Sequence, residues 1–256
     1  MTINFQETTD TAGIAFIPGL TFGAAWGNLN NDDFPDLYVG NHFNDASLYV
    51  NNGDGTFSDV AESIFPELSG DSHGAAWADF DNDGDQDIIQ LVGAKEGLGS
   101  DPNRLYINDG GTFTEQASDF GIDYPLNRGR TPLWVDYDND GLLDLVVGAV
   151  ERADAPPTIF RQTANGFEEA SATTGYQATR SRFSILADFS GDGNVDLVSA
   201  GVLSGSNSRV TIYDLTSTPF TDITSTRILP VSDNDFTSAD FNGDLLPDLI
   251  LTNSSF

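Results

Sequence analysis

Cysteine is absent from the 256 residues, which excludes disulfides, thiolate metal sites and cysteine nucleophiles. Histidine occurs twice, at His42 and His73, so a three-histidine zinc centre cannot be assembled. Lysine is reduced to Lys95, and the 10 bases face 40 acids for a formal charge of −30. Nucleic acid and anionic membrane surfaces demand clustered bases, so both are poor partners for this chain. No apolar run approaches the roughly 20 residues of a membrane helix. The N-terminus has neither the basic start nor the apolar centre of a signal peptide, and membrane insertion is not expected.

What is abundant is aspartate: 32 Asp against 8 Glu. A solvated helical surface would favour Glu, the better helix former. Asp suits turns and hard-cation sites, where a short carboxylate reaches an ion from a tight loop. Disorder does not fit, because 39% hydrophobic residues with 18 Phe can build a core.

The Asp residues recur in register. Five nine-residue segments, NLNNDDFPD, DFDNDGDQD, DYDNDGLLD, DFSGDGNVD and DFNGDLLPD, begin at Asn28, Asp79, Asp136, Asp188 and Asp240. Their spacings are 51, 57, 52 and 52 residues. Each is preceded by a short apolar segment and followed by a β-rich run. In the first four repeats a third run follows, then a turn and an aromatic-led fourth run. Four short strands per repeat of about 50 residues, stacked around an axis, describe an all-β fold, a β-propeller of four-stranded antiparallel blades.

The repeats span about 20–66, 70–124, 128–177 and 180–229, all within a single domain, 1–256. A fifth combines 232–256 with an N-terminal stretch, 3–17. The segment FQETTDTAGI (5–14) aligns with FTEQASDFGI (113–122), so the N-terminus is expected to supply the outer strand of the last blade. That closes a five-bladed ring and covers an open sheet edge. The fifth repeat ends before its third strand would begin, which favours a piece of a longer propeller instead; both arrangements stay open.

The pattern D-x-D-x-D-G-x-x-D offers side-chain oxygens at positions 1, 3, 5 and 9 and a carbonyl at 7, a donor set suited to Ca²⁺. Repeat two supplies Asp79, Asp81, Asp83, the Asp85 carbonyl and Asp87; repeat three supplies Asp136, Asp138, Asp140, the Leu142 carbonyl and Asp144. Repeat four supplies Asp188, Ser190, Asp192, the Asn194 carbonyl and Asp196; repeat five supplies Asp240, Asn242, Asp244, the Leu246 carbonyl and Asp248. Repeat one supplies Asn28, Asn30, Asp32, the Phe34 carbonyl and Asp36. Up to five calcium ions are expected, in a stapling role, with loop one the weakest because it has the fewest carboxylates. The EF-hand is excluded, because position 12 (Val39, Gln90, Val147, Ser199, Leu251) is never Glu and always lies in a β-rich run.

The unit WADFDNDGDQDI (77–88) with LYVNNGDGTF (48–57) resembles the FG-GAP/VCBS repeat of integrin α-subunit propellers and many bacterial secreted proteins. The resemblance covers nearly the whole chain. It implies a β-propeller with calcium in its hairpin loops, in an extracellular or cell-surface setting. The family more often has seven blades, and it spans adhesion receptors, lectins and polysaccharide lyases, so fold does not select a function.

Propellers commonly bind at the mouth of the central channel, on loops leading into the innermost strand. Six residues before the five metal loops stand Phe22, His73, Arg130, Arg182 and Asn234; eight before stand Leu20, Asp71, Arg128, Arg180 and Ser232. His73, Arg128, Arg130, Arg180 and Arg182 are therefore the candidate ligand-binding residues, on the face opposite the calcium loops. Trp26, Trp77 and Trp134 share one register position and read as inter-blade core. The expected function is binding of a glycan or surface protein. The alternatives are a lyase acting on an acidic glycan, with His73 or a Tyr as base, and a structural blade array within a larger secreted protein.

Overall fold

A computed structural model describes residues 5–14, 20–42, 44–65, 71–93, 101–150, 152, 154–178, 180–202, 208–227 and 235–252. Four antiparallel sheets of four strands follow one another along the chain in a β-propeller arrangement. The first blade is β1 (Leu20–Gly27), β2 (Asp36–His42), β3 (Ser47–Asn51) and β4 (Phe57–Asp59). The second is β5 (Ser72–Ala78), β6 (Asp87–Val92), β7 (Arg104–Asp109) and β8 (Thr112–Glu115). The third is β9 (Gly129–Val135), β10 (Asp144–Ala149), β11 (Thr158–Thr163) and β12 (Gly166–Glu169). The fourth is β13 (Phe183–Ala187), β14 (Asp196–Val202), β15 (Ser208–Asp214) and β16 (Thr221–Asp222). A fifth unit shows the two-stranded hairpin β17 (Asp235–Ala239) and β18 (Asp248–Thr252).

First strands of neighbouring blades pack on each other, β1 on β5, β5 on β9 and β9 on β13, which puts them innermost. The apolar residues of facing sheets form the core between blades. Leu29, Tyr38 and Leu48 of the first blade pack with Ile88 and Tyr106 of the second, and Ile89 and Leu105 with Leu145 and Phe160. Trp77 lies on Gly27, where any Cβ would overlap its indole ring, so only glycine permits this approach. Trp134 stacks on Phe80 with centroids 5.8 Å apart. Trp77 and Trp134 are thus inter-blade core. Trp26, at the same register, is 59% exposed, because no described blade lies before the first one.

One expectation is corrected. The fourth run of each repeat is not one strand but a short strand followed by a four-residue helical turn, at Ala61–Ile64, Ala117–Phe120, Ser171–Thr174 and Thr224–Arg227. One acidic side chain at the end of the strand makes the switch. Asp59, Glu115, Glu169 and Asp222 each accept from the amide two residues on, at 2.8–3.1 Å. The N-terminus follows the same plan, with a helical turn at Thr9–Ala12 ended by Gly13 in the left-handed region, as Gly121 ends its counterpart. Its alignment with 113–122 therefore holds at the turn. Phe5–Thr8 pair with no strand among the described residues. The rest of the proposed closing stretch (3–4 and 15–17), the ends of the fifth repeat (232–234 and 253–256) and the register positions Ser232 and Asn234 lie outside the described residues.

Candidate metal loops and an arginine-lined axis

Each acidic loop joins the first strand of a blade to the second. Position 9 is its anchor. Asp87 is fully buried; its Oδ2 accepts from Phe80 N at 3.2 Å and its Oδ1 from Asn108 N at 2.9 Å, tying the loop to β7. Asp36 and Asp144 repeat this, accepting from Leu29 and Asn51 and from Tyr137 and Gln162. Asp196 and Asp248 accept from Ser190 and Phe241 at the loop's own start. Position 1 gathers amides from the turn: Asp79 from Gly84, Asp136 from Asp140 and Gly141, Asp188 from Gly191, Asp192 and Gly193, and Asp240 from Gly243 and Leu245. The position 5 carboxylates, Asp32, Asp83, Asp140, Asp192 and Asp244, each accept from the amide two residues later, that of Phe34, Asp85, Leu142, Asn194 and Leu246.

Positions 1, 3 and 9 converge. Asp79, Asp81 and Asp87 place ligand oxygens within 4.8 Å of one another, as do Asp136, Asp138 and Asp144. These sets contain only hard oxygen donors, which fits Ca²⁺ rather than a softer metal. Burial pushes the carboxyls of Asp87 and Asp144 up to about 7, against the hydrogen bonds that favour their charged forms. A divalent cation would relieve the charge repulsion that contributes to these shifts. Asp81 is raised as well, by burial and the neighbouring Asp83.

The loops differ in ways their carboxylate count does not show. In loop one, Asn30 Nδ2 donates to Asp32 Oδ2 at 2.8 Å and Asn28 Nδ2 to the Asp32 carbonyl at 2.5 Å, so side-chain amides already serve the oxygens. Asn31 bonds the Asp85 carboxylate, and Asp85 Oδ2 accepts from Gly110 N at 2.7 Å. Asp85, expected only as a carbonyl donor, therefore ties loops one and two together through its side chain. In loop three, Arg161 of β11 reaches Asp138 and Asp140. In loop five, Asn242 Nδ2 donates to Asp244 and Asp248. Position 6 is left-handed in loops two to five, and in loop five the residue there is Leu245, at φ 72.

At the other end of the first strands, the register positions chosen from the sequence do meet. The Phe22 ring stands edge-on to His42 and His73, with centroids 4.7 and 5.2 Å away, and the Arg130 guanidinium lies 5.7 Å over it. Three adjacent blades thus contribute to one cluster. Arg130 Nη1 donates to the Gly129 carbonyl at 2.7 Å and lies 2.5 Å from His73 Nδ1. Burial, and after it the charges of Arg128, Arg182 and Arg180, depress Arg130 to about 10, so all four guanidinium groups share one field. Arg128 Nε is buried without a hydrogen bond. Arg128, Arg130 and Arg180 form no salt bridge with a carboxylate of the described residues. Arg182 is exposed, and its carbonyl accepts from Thr131 Oγ1 at 2.8 Å, joining blades three and four.

His73 is fully buried, and its pKa is lowered chiefly by burial. His42, which carried no expected role, stands against it. Both imidazoles face Asp71, whose pKa is lowered by the two rings despite its burial. A buried ring with both nitrogens engaged offers no base to a polymer in this conformation, which weighs against His73 as a lyase base.

The FG-GAP-like repeat matches residues 28–89, 91–147, 136–199 and 188–251. The chain belongs to the FG-GAP-like repeat family. Three of the matched segments start at the first residue of a metal loop, Asn28, Asp136 or Asp188. Among curated proteins it is similar to cartilage acidic protein 1 of Xenopus tropicalis, 31% identical over 193 residues, covering 69% of this chain and 28% of the relative. The Homo sapiens and Mus musculus proteins of the same name are 29% identical over 192 residues, again over 69% of this chain and 27% and 28% of theirs. The chain therefore spans little more than a quarter of the length of these relatives. No helix among the described residues is long and apolar enough to cross a membrane.

Proposed function

We propose that this chain is a calcium-stapled β-propeller binding module that recognises an anionic ligand, a uronate-containing or sulfated glycan or an acidic protein segment, outside the cell. The observation that carries the reading is the meeting of Phe22, His73 and Arg130 from three successive blades within the shared field of Arg128, Arg180 and Arg182. The clustered guanidinium groups repel one another, and an anionic ligand would relieve that repulsion. Guanidinium groups give paired, directional contacts to carboxylate or sulfate oxygens.

Calcium has a structural role in this reading. It neutralises carboxylates at the turn between the first two strands of each blade and so fixes the loops. Up to five ions bind, with side chains of positions 1, 3, 5 and 9 and the position 7 carbonyl as donors. Sites of this openness bind at about 10⁻⁴–10⁻³ M, a range filled outside the cell and empty in cytosol.

The test is an array of acidic and neutral glycans and acidic peptides, screened in millimolar calcium beside a chelated control. Calcium-dependent capture of acidic probes, lost with Arg130→Ala plus Arg182→Ala, is the expected result. Capture of neutral probes alone, or capture unchanged by the double substitution, would move the site elsewhere.

A further inference from the structure

We propose that His42 Nδ1, His73 Nε2 and Asp71 Oδ1 form a site for a divalent transition cation of the zinc type, chemically distinct from the oxygen loops and joining the first two blades. His42 ends β2 of the first blade, while Asp71 and His73 open the second; Asp71 pairs with His42 as an isolated bridge, which fixes the two backbones side by side. The three donor atoms form a tight triangle: His42 Nδ1 to Asp71 Oδ1 is 2.6 Å, His73 Nε2 to Asp71 Oδ1 is 3.2 Å, and His73 Nε2 to His42 Nδ1 is 3.3 Å. Donors about 2.1 Å from a common ion stand roughly 3.0–3.4 Å apart at angles between square and tetrahedral, so only the shortest edge must open.

Three further observations point the same way. Asp71 Oδ1 is buried, in a side chain only 7% exposed, and makes no hydrogen bond of good geometry although both rings face it. A buried carboxylate oxygen facing two imidazole nitrogens, one of them 2.6 Å away, is an arrangement in which a shared cation can take the place of a proton. His73 Nδ1 lies 2.8 Å from the Gly129 carbonyl. With the proton on Nδ1, that bond orients the ring and leaves the Nε2 lone pair for a metal, the usual outer support of a histidine ligand. Finally, Gly93 passes so close to Asp71 and His73 that a Cβ there would overlap both, so the backbone itself closes the site on that side.

Two imidazoles with one carboxylate select a later first-row ion over calcium, which prefers oxygen alone. Arg130 sets the opposing term. Its guanidinium, which can only donate, lies 2.5 Å from His73 Nδ1 and favours the tautomer with the proton on Nε2, so metal binding requires the Nδ1 proton to point to Gly129 and the guanidinium to draw back. The site does not depend on the anionic-ligand reading.

The test uses tag-free, chelator-treated chain in millimolar calcium, titrated with Zn²⁺ by calorimetry and followed by ¹⁵N spectra of the rings. With two histidines in the chain, only two ring systems appear. The expected result is one Zn²⁺ per chain that calcium does not displace, with both rings shifting together. In His42→Gln the affinity falls at least tenfold, while in Asp79→Asn plus Asp81→Asn it is unchanged. Because the ring spectra need no variant, a misfolded substitution does not obscure the answer. Zn²⁺ binding that leaves both rings unmoved, or that calcium abolishes, would overturn the proposal.

Discussion

Arg161 Nε lies 2.5 Å from Asp138 Oδ2, and its Nη2 lies 2.6 Å from Asp140 Oδ2, so a guanidinium spans two of loop three's candidate ligand carboxylates. Loops two and three carry the same four aspartates, yet the place of Arg161 is taken in the second blade by Ile107. Loop three must displace a cation before it takes one. Arg161→Ala should raise calcium affinity at loop three by about fivefold, the worth of roughly 1 kcal/mol from a partly exposed ion pair. Calorimetry in a background of Asp79→Asn and Asp81→Asn removes the other loop with four aspartates; weaker binding in the Arg161 variant would contradict this.

Leu245 holds φ 72 at a position where three other loops have Gly84, Gly141 and Gly193. Its side chain is 90% exposed and contributes no core. Leu245→Gly should stabilise the fifth unit's hairpin by about 1 kcal/mol by removing left-handed strain. Hydrogen exchange of β17 and β18 would show slower opening; faster opening would count against the strain.

Asp87 and Asp144 have folded pKa values raised to about 7, well above the unfolded value near 3.9. The folded state therefore holds protons that the unfolded state has lost. In calcium-free buffer, stability from these groups falls as pH rises from about 4 to about 7 and stays lost above that. The chelated protein should melt higher at about pH 5 than at about pH 8. Calcium should reverse the order and release protons on binding at about pH 6, both readable by calorimetry. A chelated protein that gains stability across that range would contradict the shifts.

Trp26 is 59% exposed, while Trp77 and Trp134 pack between blades. In the 256-residue chain, acrylamide should quench one tryptophan component strongly, and Trp26→Phe should remove it. A quenching curve unchanged by that substitution would place Trp26 under cover.

Most of the blade architecture is legible in the sequence because two periods coincide. Short apolar and β-rich runs mark the first three strands of each of the first four repeats, and the aspartate loop falls in the same register each time. The helical turn after the fourth strand was hidden because one side chain, such as Glu115, makes it by capping a single amide. The arginine cluster was legible as a register, since Arg130 and Arg182 occupy one position in neighbouring repeats. The His42–Asp71–His73 triangle was not. His42 lies off that register, and it reaches His73 only because blades one and two pack through Gly40, which lies against the His73 carbonyl. Arg161 escaped notice for the same kind of reason: it acts from β11 on a loop more than 20 positions earlier.

If calcium in the acidic loops holds the propeller together, the stability of the chain depends on calcium. The direct measurement is the thermal midpoint of the chain, titrated from chelator into millimolar calcium and paired with the heat of binding. The expected result is a rise of several degrees, half complete at about 10⁻⁴–10⁻³ M calcium, and a smaller rise in Asp79→Asn plus Asp81→Asn. A midpoint indifferent to calcium, with no heat of binding, would show that the loops fold on their own hydrogen bonds.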